Sequence, residues 1–402
     1  MIRRTITENI LGMLRQFRVL TITGPRQSGK TTLVKSCLPK YQYVNLEFPD
    51  VRAHALSDPR DFLHVYKPPV ILDEVQRAPD LLSYIQALVD EDDGNGQYVL
   101  TGSQQFGMMS TIKQSLAGRT ALLSLLPLSL HELAAAGIHH DRDQWIFNGF
   151  MPGLFKPQVD VRAFYSAYLQ TYVERDLSEL RQIHNLSAFE MFVRMLAARV
   201  GQLLNLHSMA NDIGISSTTL RDWLSLLETS CIVYLLHPYH ANIGKRLTKS
   251  PKVYFYETGL AAHLLGMRTP EEVALSPSLG GLFENMVIME AVKTLRNQGL
   301  SEMFSFYRDS NGVEIDLLWS PTHALTIPLE IKAARTFSPD MAANIVKAAK
   351  HLKGLQSAHV IYAGNSHGKI RGCEYNNFQN TAEVFACQKG ETKSGLSSPQ
   401  ET

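Results

Sequence analysis

The run from Gly24 to Thr32 places two glycines, a lysine and two threonines at a spacing that suits the binding of a phosphate chain. Gly24 and Gly29 can adopt backbone angles that turn successive N–H groups inward around an anion. The apolar residues 19–23 before it predict a buried strand, and a helix that begins after it would point its positive end at the same anion. The full run is Gly24, Pro25, Arg26, Gln27, Ser28, Gly29, Lys30, Thr31 and Thr32.

This run matches the pattern G-x-x-x-x-G-K-[ST] of loops that bind nucleoside triphosphates. We expect Lys30 to reach the β- and γ-phosphates and the Thr31 hydroxyl to ligate Mg²⁺. The sequence therefore predicts ATP with Mg²⁺ as the ligand, against the alternative of an ordinary glycine-rich turn.

Two carboxylates end a second apolar run. Residues 70–72 are followed directly by Asp73 and Glu74. Asp73 would complete the Mg²⁺ shell, and Glu74 would polarise or orient the water that attacks the γ-phosphate. The alternative is a solvated strand end, and the phosphate-binding run upstream favours the catalytic interpretation.

Hydroxyl side chains end a third apolar run, residues 98–101. In ATPases whose glutamate lies on the Mg²⁺ strand, the strand between it and the phosphate-loop strand carries a polar sensor of the γ-phosphate. Ser103 is the predicted sensor, with Thr101 as the alternative.

The elements that must position these groups follow from composition and periodicity. The chain has 402 residues, too many for one hydrophobic core, with 45% hydrophobic and 19% charged residues. Short apolar runs separated by helical segments over residues 1–150 predict a parallel sheet buried on both faces. The net charge of +1 excludes a global field that draws the molecule to polyanions, so such binding needs local patches.

The cysteines, the N-terminus and the length of the most apolar stretch together predict a cytoplasmic protein without membrane contact. The four cysteines form no CxxC pair, which is typical of reduced thiols in the cytosol. The N-terminus lacks the pattern of a signal peptide, and the most apolar stretch, residues 121–133, is too short to span a bilayer.

Several blocks spread over most of the chain read GPRQSGKTTL, ILDEVQ, LTGSQ, SLAGRTALLSLLPLSLHE, GFMPG, YVERDL, PKVYFYETGL, GGLFENMV, GVEIDLLW and LEIK. Together they resemble a widespread prokaryotic AAA-type ATPase family whose ATPase is fused to a C-terminal domain of unknown function. The resemblance implies an α/β fold in three parts. A P-loop NTPase domain with a parallel sheet would cover residues 1–155, and a helical, winged-helix-like domain 156–265. A domain similar to PD-(D/E)xK restriction endonucleases would cover 266–388, before a disordered tail at 389–402.

The resemblance also implies two arginine roles. Arg119 is the candidate arginine finger, which would neutralise charge on the γ-phosphate, in trans if the protein is a homo-oligomer. The alternative is a surface arginine. Arg175 is a candidate second phosphate sensor, with an intrahelical ion pair as the alternative.

A helix–turn–helix pattern is predicted over residues 206–227. Gly214 lies at the turn, Ser216 can cap the second helix, and the apolar stripe of that helix comprises Leu220, Trp223, Leu224 and Leu227. DNA contact by the second helix is one interpretation, and a structural or protein-binding winged helix is the other.

A basic loop follows the helix–turn–helix pattern. It spans Lys245–Lys252, contains no acid and carries Lys245, Arg246, Lys249 and Lys252. It is a candidate contact for the DNA backbone, with a solvated loop as the alternative.

The resemblance to nucleases identifies a further set of carboxylates. Glu284 lies in a predicted helix, Asp316 in a following strand, and Glu330 with Lys332 in the next strand. In such nucleases the carboxylates hold one or two Mg²⁺ ions, while the lysine orients the water or stabilises the pentacovalent phosphate. The alternative is a nuclease fold that has lost cleavage and serves in binding.

The motifs lead to one main hypothesis and two alternatives. The main hypothesis is an AAA-type ATPase, with Lys30, Glu74, Ser103 and Arg119 as catalytic residues, that switches a nucleic-acid-binding or nuclease-like C-terminal effector. The alternatives are a non-enzymatic, nucleotide-bound protein-interaction module and an ATP-gated, metal-dependent DNA nuclease.

Overall fold

The computed structural model describes residues 2–102, 115–171, 183, 185–239, 250–322, 324–350, 352 and 354–385. Several predicted features lie outside the described residues: Ser103, Arg175, the basic residues Lys245, Arg246 and Lys249, and the tail at 389–402.

The N-terminal strands form one parallel sheet in the order β2-β3-β4-β1-β5. The strands are β1 (Val19–Thr23), β2 (Gln42–Asn45), β3 (Val70–Asp73), β4 (Tyr98–Thr101) and β5 (Thr120–Ser124). Every residue of β1, β3 and β4 is buried, as expected for strands covered by helices on both faces. The predicted parallel α/β sheet is therefore confirmed, and β4 lies between β1 and β3.

Helices connect these strands, and two hydrophobic clusters form against the sheet, one around Phe62 and Ile85 and the other around Ile10 and Val34. They are α1 (Thr7–Leu14), α2 (Lys30–Cys37), α3 (Pro49–Ser57), α4 (Pro59–Val65) and α5 (Leu81–Glu91).

After β5 the chain becomes mainly helical. Its elements are α6 (Leu130–Ala135), α7 (Arg142–Asn148), α8 (Val161–Thr171), α9 (Leu186–Ala198), α10 (Leu206–Ile213), α11 (Ser217–Thr229) and the antiparallel pair β6 (Val233–Leu236) and β7 (Lys252–Phe255). Gly214 ends α10 with φ 78°, and the Ser216 hydroxyl caps α11 by accepting a 3.0 Å hydrogen bond from the Thr219 N–H. The predicted helix–turn–helix is present, and its winged-helix identity stays a prediction.

A second sheet of six strands follows, in the order β12-β13-β11-β10-β9-β8. Before it come α12 (Thr258–Leu264), α13 (Pro270–Leu275) and α14 (Leu279–Asn297). The strands are β8 (Phe304–Arg308), β9 (Glu314–Thr322), β10 (Leu325–Lys332), β11 (His359–Tyr362), β12 (Gly368–Ile370) and β13 (Cys373–Asn377), with α15 (Ala343–Ala348) and α16 (Thr381–Val384) beside them. Since β10 is parallel to β11 and antiparallel to β9, the sheet is mixed, and its restriction-endonuclease-like identity stays a prediction.

One hydrophobic core extends from Leu126 to Phe385. It therefore continues across both predicted domain boundaries, at 155/156 and 265/266, and these boundaries stay predictions. Thirteen of the nineteen residues of α14 are buried, so this helix packs on more than one side.

None of the described helices is long and apolar enough to cross a membrane.

Candidate functional site

The loop between β1 and α2 has the backbone conformation of an anion-binding loop. Gly24, Gln27 and Gly29 have φ of 145°, 61° and 93°, and alternation into positive φ turns successive N–H groups toward one side. A Cβ at Gly24 would lie 2.2 Å from the Leu125 carbonyl oxygen, so no other residue fits there. The predicted strand, loop and helix are thus all present, and α2 begins at Lys30.

The Lys30 side chain is folded into this loop. Its ammonium donates to the carbonyl oxygens of Gly24 at 3.0 Å and Pro25 at 2.9 Å, and the residue is only 7% exposed. Burial lowers the pKa of Lys30, while the nearby Glu74 and Asp73 act in the opposite direction. A buried cation at the mouth of the loop is what a phosphate chain requires.

Asp73 is the meeting point of three hydroxyl groups. Its Oδ2 accepts a 2.8 Å hydrogen bond from Thr31 and a 2.5 Å bond from Tyr43, and its Oδ1 accepts a bond from Thr101. Burial and the bond to Asp73 raise the pKa of Tyr43, so its phenol remains a donor. Carboxylate and hydroxyl oxygens are hard donors of the kind that Mg²⁺ prefers, so this set fits the predicted ion.

Thr101 is the hydroxyl that β4 brings to the site. The order of the sheet puts β4 next to β3, which is why Thr101 reaches Asp73. Of the two sensor candidates, Thr101 therefore lies at the site, and Ser103 lies outside the described residues.

Glu74 follows Asp73 in a left-handed conformation, with φ 59° and ψ 44°. Its carboxylate accepts a hydrogen bond from the Gln76 amide and lines the same cavity as Lys30 and Thr31. Burial raises the pKa of Glu74 above its ordinary value. A carboxylate with a raised pKa is a stronger base, which suits the expected role toward water.

A cavity of about 1250 Å³ opens over these groups. Its polar lining includes the phosphate loop, and an apolar wall comes from Leu128 and from residues after α7. That wall comprises Leu128, Pro152, Phe155, Phe164 and Tyr168. The cavity exceeds the roughly 300–1,000 Å³ of ordinary ligand sites, so a nucleotide with its phosphates fits.

Sequence reasoning missed two contributors to this site, Tyr43 and Arg4. Tyr43 reaches Asp73 only because β2 pairs in parallel with β3, with Asn45 opposite Asp73. Arg4 lies before α1 and donates a 2.9 Å hydrogen bond to the Ser28 carbonyl oxygen of the phosphate loop. No motif spacing connects these pairs, so nothing local in the sequence could have identified them.

Arg119 lies at the opposite end of the sheet from the phosphate loop. Its carbonyl oxygen accepts from the N–H of Val19, the first residue of β1, whereas the loop follows the last residue of that strand. Its guanidinium makes two bonds to Asp90, of 2.6 and 2.7 Å. The geometry therefore excludes action on the γ-phosphate within one chain, which corrects that part of the arginine-finger expectation.

The C-terminal carboxylates lie close together and are paired with lysines. The Lys252 ammonium lies 3.0 Å from Oε1 of Glu284 and 2.6 Å from Oε1 of Glu314. The Lys332 ammonium lies 3.3 Å from Oδ2 of Asp316 and also contacts Glu330.

One of these contacts corrects an expectation. Lys252 is only 3% exposed, so it cannot contribute to a DNA-contacting loop. Within the described parts of the chain, no group of three or more His, Cys, Asp or Glu side chains is arranged to hold a metal ion. Lys332 contacts Asp316 and Glu330 as the predicted set requires, and the metal-binding role of Glu284, Asp316 and Glu330 stays a prediction.

Burial changes the acidity of this cluster. Burial, with the nearby Asp316, raises the pKa of Glu284 to about 7 and that of Glu330 to about 8. Glu330 is fully buried, and its Oε1 has no hydrogen-bond partner among the described residues.

Family models match consecutive parts of the chain. The model described as "AAA domain" matches residues 16–134. Two models described as domains of unknown function match residues 139–271 (DUF8612) and 279–378 (DUF4143). The first region contains the phosphate loop, Asp73 and Glu74, and the description of the last one names no nuclease.

Two curated mycobacterial proteins are similar over most of the chain. The "Uncharacterized protein Rv2008c" of Mycobacterium tuberculosis and the "Uncharacterized protein Mb2031c" of Mycobacterium bovis are each 30% identical over 366 residues. The similarity covers 90% of this chain and 80% of each relative.

Solved structures show weaker likeness. The Walker-type ATPase PABY2304 of Pyrococcus abyssi has a TM-score of 0.42 at 14% identity, covering 64% of this chain and 94% of that chain. AMPPCP-bound DnaA of Aquifex aeolicus has a TM-score of 0.31 at 12% identity, covering 74% of this chain and 93% of that chain. Neither TM-score indicates a shared overall fold.

Proposed function

Because the chain belongs to the family of the mycobacterial protein Rv2008c, with an AAA domain at residues 16–134, we propose that it is a Mg²⁺-dependent ATPase. One observation carries this proposal. Lys30, Thr31 and Glu74 line a single cavity, and Thr31 bonds there to the buried Asp73. These are the side chains that phosphoryl transfer to water requires.

The phosphate loop would bind the triphosphate and the α2 N-terminus would stabilise its charge. The Lys30 ammonium would exchange its two carbonyl partners for phosphate oxygens, which are stronger acceptors for a cation. Mg²⁺ would supply charge neutralisation on the phosphates, held by Thr31 and Asp73. Thr101, which already donates to Asp73, would keep that carboxylate in its orientation.

Glu74 would hold the attacking water. Its backbone lies at the carboxyl end of β3, and its side chain faces the cavity that contains the phosphate loop. A carboxylate whose pKa is raised by burial can accept a proton from water more readily than an exposed one. The apolar wall at Pro152, Phe155 and Phe164 would take the base of the nucleotide, because an aromatic base buries well against such side chains.

The C-terminal half would act as the effector of this ATPase. This role is supported by the continuous core from Leu126 to Phe385, which joins the cavity wall to α14 and to the second sheet. DNA is the partner we propose for the exposed face of α11, where Arg221 and Asp222 lie. Measuring ATP turnover with and without single- and double-stranded DNA tests this part, and a rate that DNA leaves unchanged would count against it.

The ATPase proposal is tested with Lys30→Ala, with Lys40→Ala as the matched control, because Lys40 is exposed beyond the end of α2. We expect Lys30→Ala to lose binding of the fluorescent analogue mant-ATP and to lose phosphate release, while Lys40→Ala behaves as wild type. Unchanged binding and turnover in Lys30→Ala would refute the proposal.

Glu74→Gln separates an ATPase from a module that holds nucleotide without turnover. We expect this variant to bind mant-ATP as wild type does and to hydrolyse ATP at least about a hundredfold more slowly, the lower range for loss of a general base. A wild type no faster than Glu74→Gln would instead favour the non-enzymatic interaction module.

A further inference from the structure

Arg4 joins the phosphate loop to a distant part of the chain. It is 8% exposed, and its guanidinium donates to the carbonyl oxygens of Ser28 at 2.9 Å and Leu126 at 2.6 Å and to Oε1 of Glu132 at 3.1 Å. Ser28 belongs to the phosphate loop, whereas Leu126 and Glu132 belong to the segment 125–132 that follows β5, here called the linking segment. A single buried side chain therefore bridges the two.

The linking segment also touches the other end of the phosphate loop. Gly24 packs so closely on Leu125 that an added Cβ would lie 2.2 Å from the Leu125 carbonyl oxygen. Both Gly24 and Ser28 are thus in contact, directly or through Arg4, with the start of the linking segment. Because close-packed backbone has no room to adjust independently, a shift of the loop must move this segment too.

Helix α14 holds the linking segment from the opposite side. Glu290 accepts hydrogen bonds from the N–H groups of Leu130 at 2.9 Å and His131 at 3.4 Å, and Lys293 donates to the Leu128 carbonyl oxygen at 2.9 Å. Both side chains are almost fully buried, at 1% and 2% exposure. The path from the phosphate loop through Arg4 to α14 therefore consists mainly of buried hydrogen bonds.

The buried Glu132 carboxylate is held by several donors in this path. Glu132 accepts from Arg4, from the Thr5 N–H at 2.7 Å and from the Ser129 N–H at 3.0 Å. Separating a buried charge from its partner has a high free-energy cost. We therefore expect Arg4 and Glu132 to move together. A network of this kind transmits a displacement rather than absorbing it.

We infer that Arg4 is a positioning residue that couples the phosphate loop to helix α14. Nucleotide binding at the loop then changes how readily the backbone hydrogen bonds of α14 open locally. This inference rests on the proposed function, since it requires nucleotide to bind at the loop. In this role Arg4 acts through the Ser28 carbonyl and the linking segment.

The test compares the full-length wild type with Arg4→Met and with the control Arg15→Met, whose side chain is exposed at the end of α1. Two quantities are measured: mant-ATP affinity, and hydrogen exchange of peptides covering α14 with and without saturating AMPPNP and Mg²⁺. The difference that nucleotide makes to exchange is the decisive readout, because a merely stabilising residue would alter exchange equally in both states.

In wild type and Arg15→Met we expect nucleotide to change exchange in α14. In Arg4→Met we expect roughly tenfold weaker mant-ATP binding, as for loss of a buried charged hydrogen bond, and no nucleotide-dependent change in α14 at saturation. Should Arg4→Met not fold, Arg4→Lys replaces it, because an ammonium cannot serve all these acceptors in the planar geometry of a guanidinium.

Each outcome decides something different. A wild type that does not bind mant-ATP refutes the proposed function and the coupling with it. A wild type that binds nucleotide without any change in α14, or an Arg4 variant whose α14 responds as in wild type, refutes the coupling alone.

Discussion

Thr31 and Asp73 lie 42 residues apart in the chain, and a 2.8 Å hydrogen bond joins the Thr31 Oγ1 to the Asp73 Oδ2. Thr31 is the second residue of α2, which follows the phosphate loop, and Asp73 ends β3, which is separated from β1 by β4. The two groups proposed to hold Mg²⁺ are thus already within contact distance of each other. Their pairing gives the first prediction.

We expect Asp73→Asn to remove the dependence of nucleotide binding on Mg²⁺. The amide keeps the size of the side chain but loses the negative charge that a divalent cation needs. Mant-ATP titrations with Mg²⁺ and with EDTA measure the effect, and the exposed Asp80→Asn serves as the control. A variant whose affinity still rises with Mg²⁺ would show that the ion is held elsewhere.

Arg119 leads to a prediction about assembly. Because it lies at the far end of the sheet from the phosphate loop of its own chain, it can reach a γ-phosphate only across an interface between two copies. We therefore expect ATP turnover per protomer to rise with protein concentration in wild type and to be low at all concentrations in Arg119→Ala.

Mixing experiments sharpen this prediction. Arg119→Ala supplies an intact phosphate loop and Lys30→Ala supplies an intact arginine, so a mixture of two inactive variants should regain part of the activity. If Arg119→Ala alone turns over ATP like wild type, the residue is a surface arginine whose role is its ion pair with Asp90.

The buried Glu330 predicts a pH dependence of stability. Burial raises its pKa to about 8 from an ordinary value of 4.5, so the folded protein binds this proton more tightly than the unfolded chain does. Its contribution to stability is full below about pH 4.5 and is lost as the pH rises through about 8. Glu330→Gln cannot ionise at this position. Its melting temperature should therefore increase relative to that of wild type as the pH rises from 5 to 8.5.

Thermal melts of both proteins at matched pH measure that difference. Using the difference between variant and wild type removes from the comparison the titration of groups that do not interact with Glu330. A difference that stays constant from pH 5 to pH 8.5 would mean that Glu330 ionises as an ordinary surface carboxyl does.

The lysine pairs of the C-terminal cluster predict the absence of nuclease activity. Lys252 contacts Glu284, and Lys332 contacts Asp316 and Glu330, so a metal ion would have to displace the chain's own cations from these groups. We expect no nicking of supercoiled plasmid by wild type in Mg²⁺ or Mn²⁺, with or without ATP. Nicking that Asp316→Ala abolishes would overturn this expectation and restore the nuclease hypothesis.

The phosphate loop and the strands around it could be predicted from the sequence because their signals are local. Gly24 and Gly29 are required by backbone angles within a single loop, and the runs at β1, β3 and β4 are apolar throughout because both faces of those strands are covered.

What only the tertiary structure decided are the contacts between residues far apart in the chain. The order of strands brings Tyr43 and Thr101 to Asp73, the packing of the chain's start brings Arg4 to the phosphate loop, and the pairing of β7 with its neighbours buries Lys252 among carboxylates. Hydrophobic periodicity specifies which faces are buried but not which charged group they will meet. That choice depends on how the elements pack against one another, because a buried charge is tolerated only where folding places its partner.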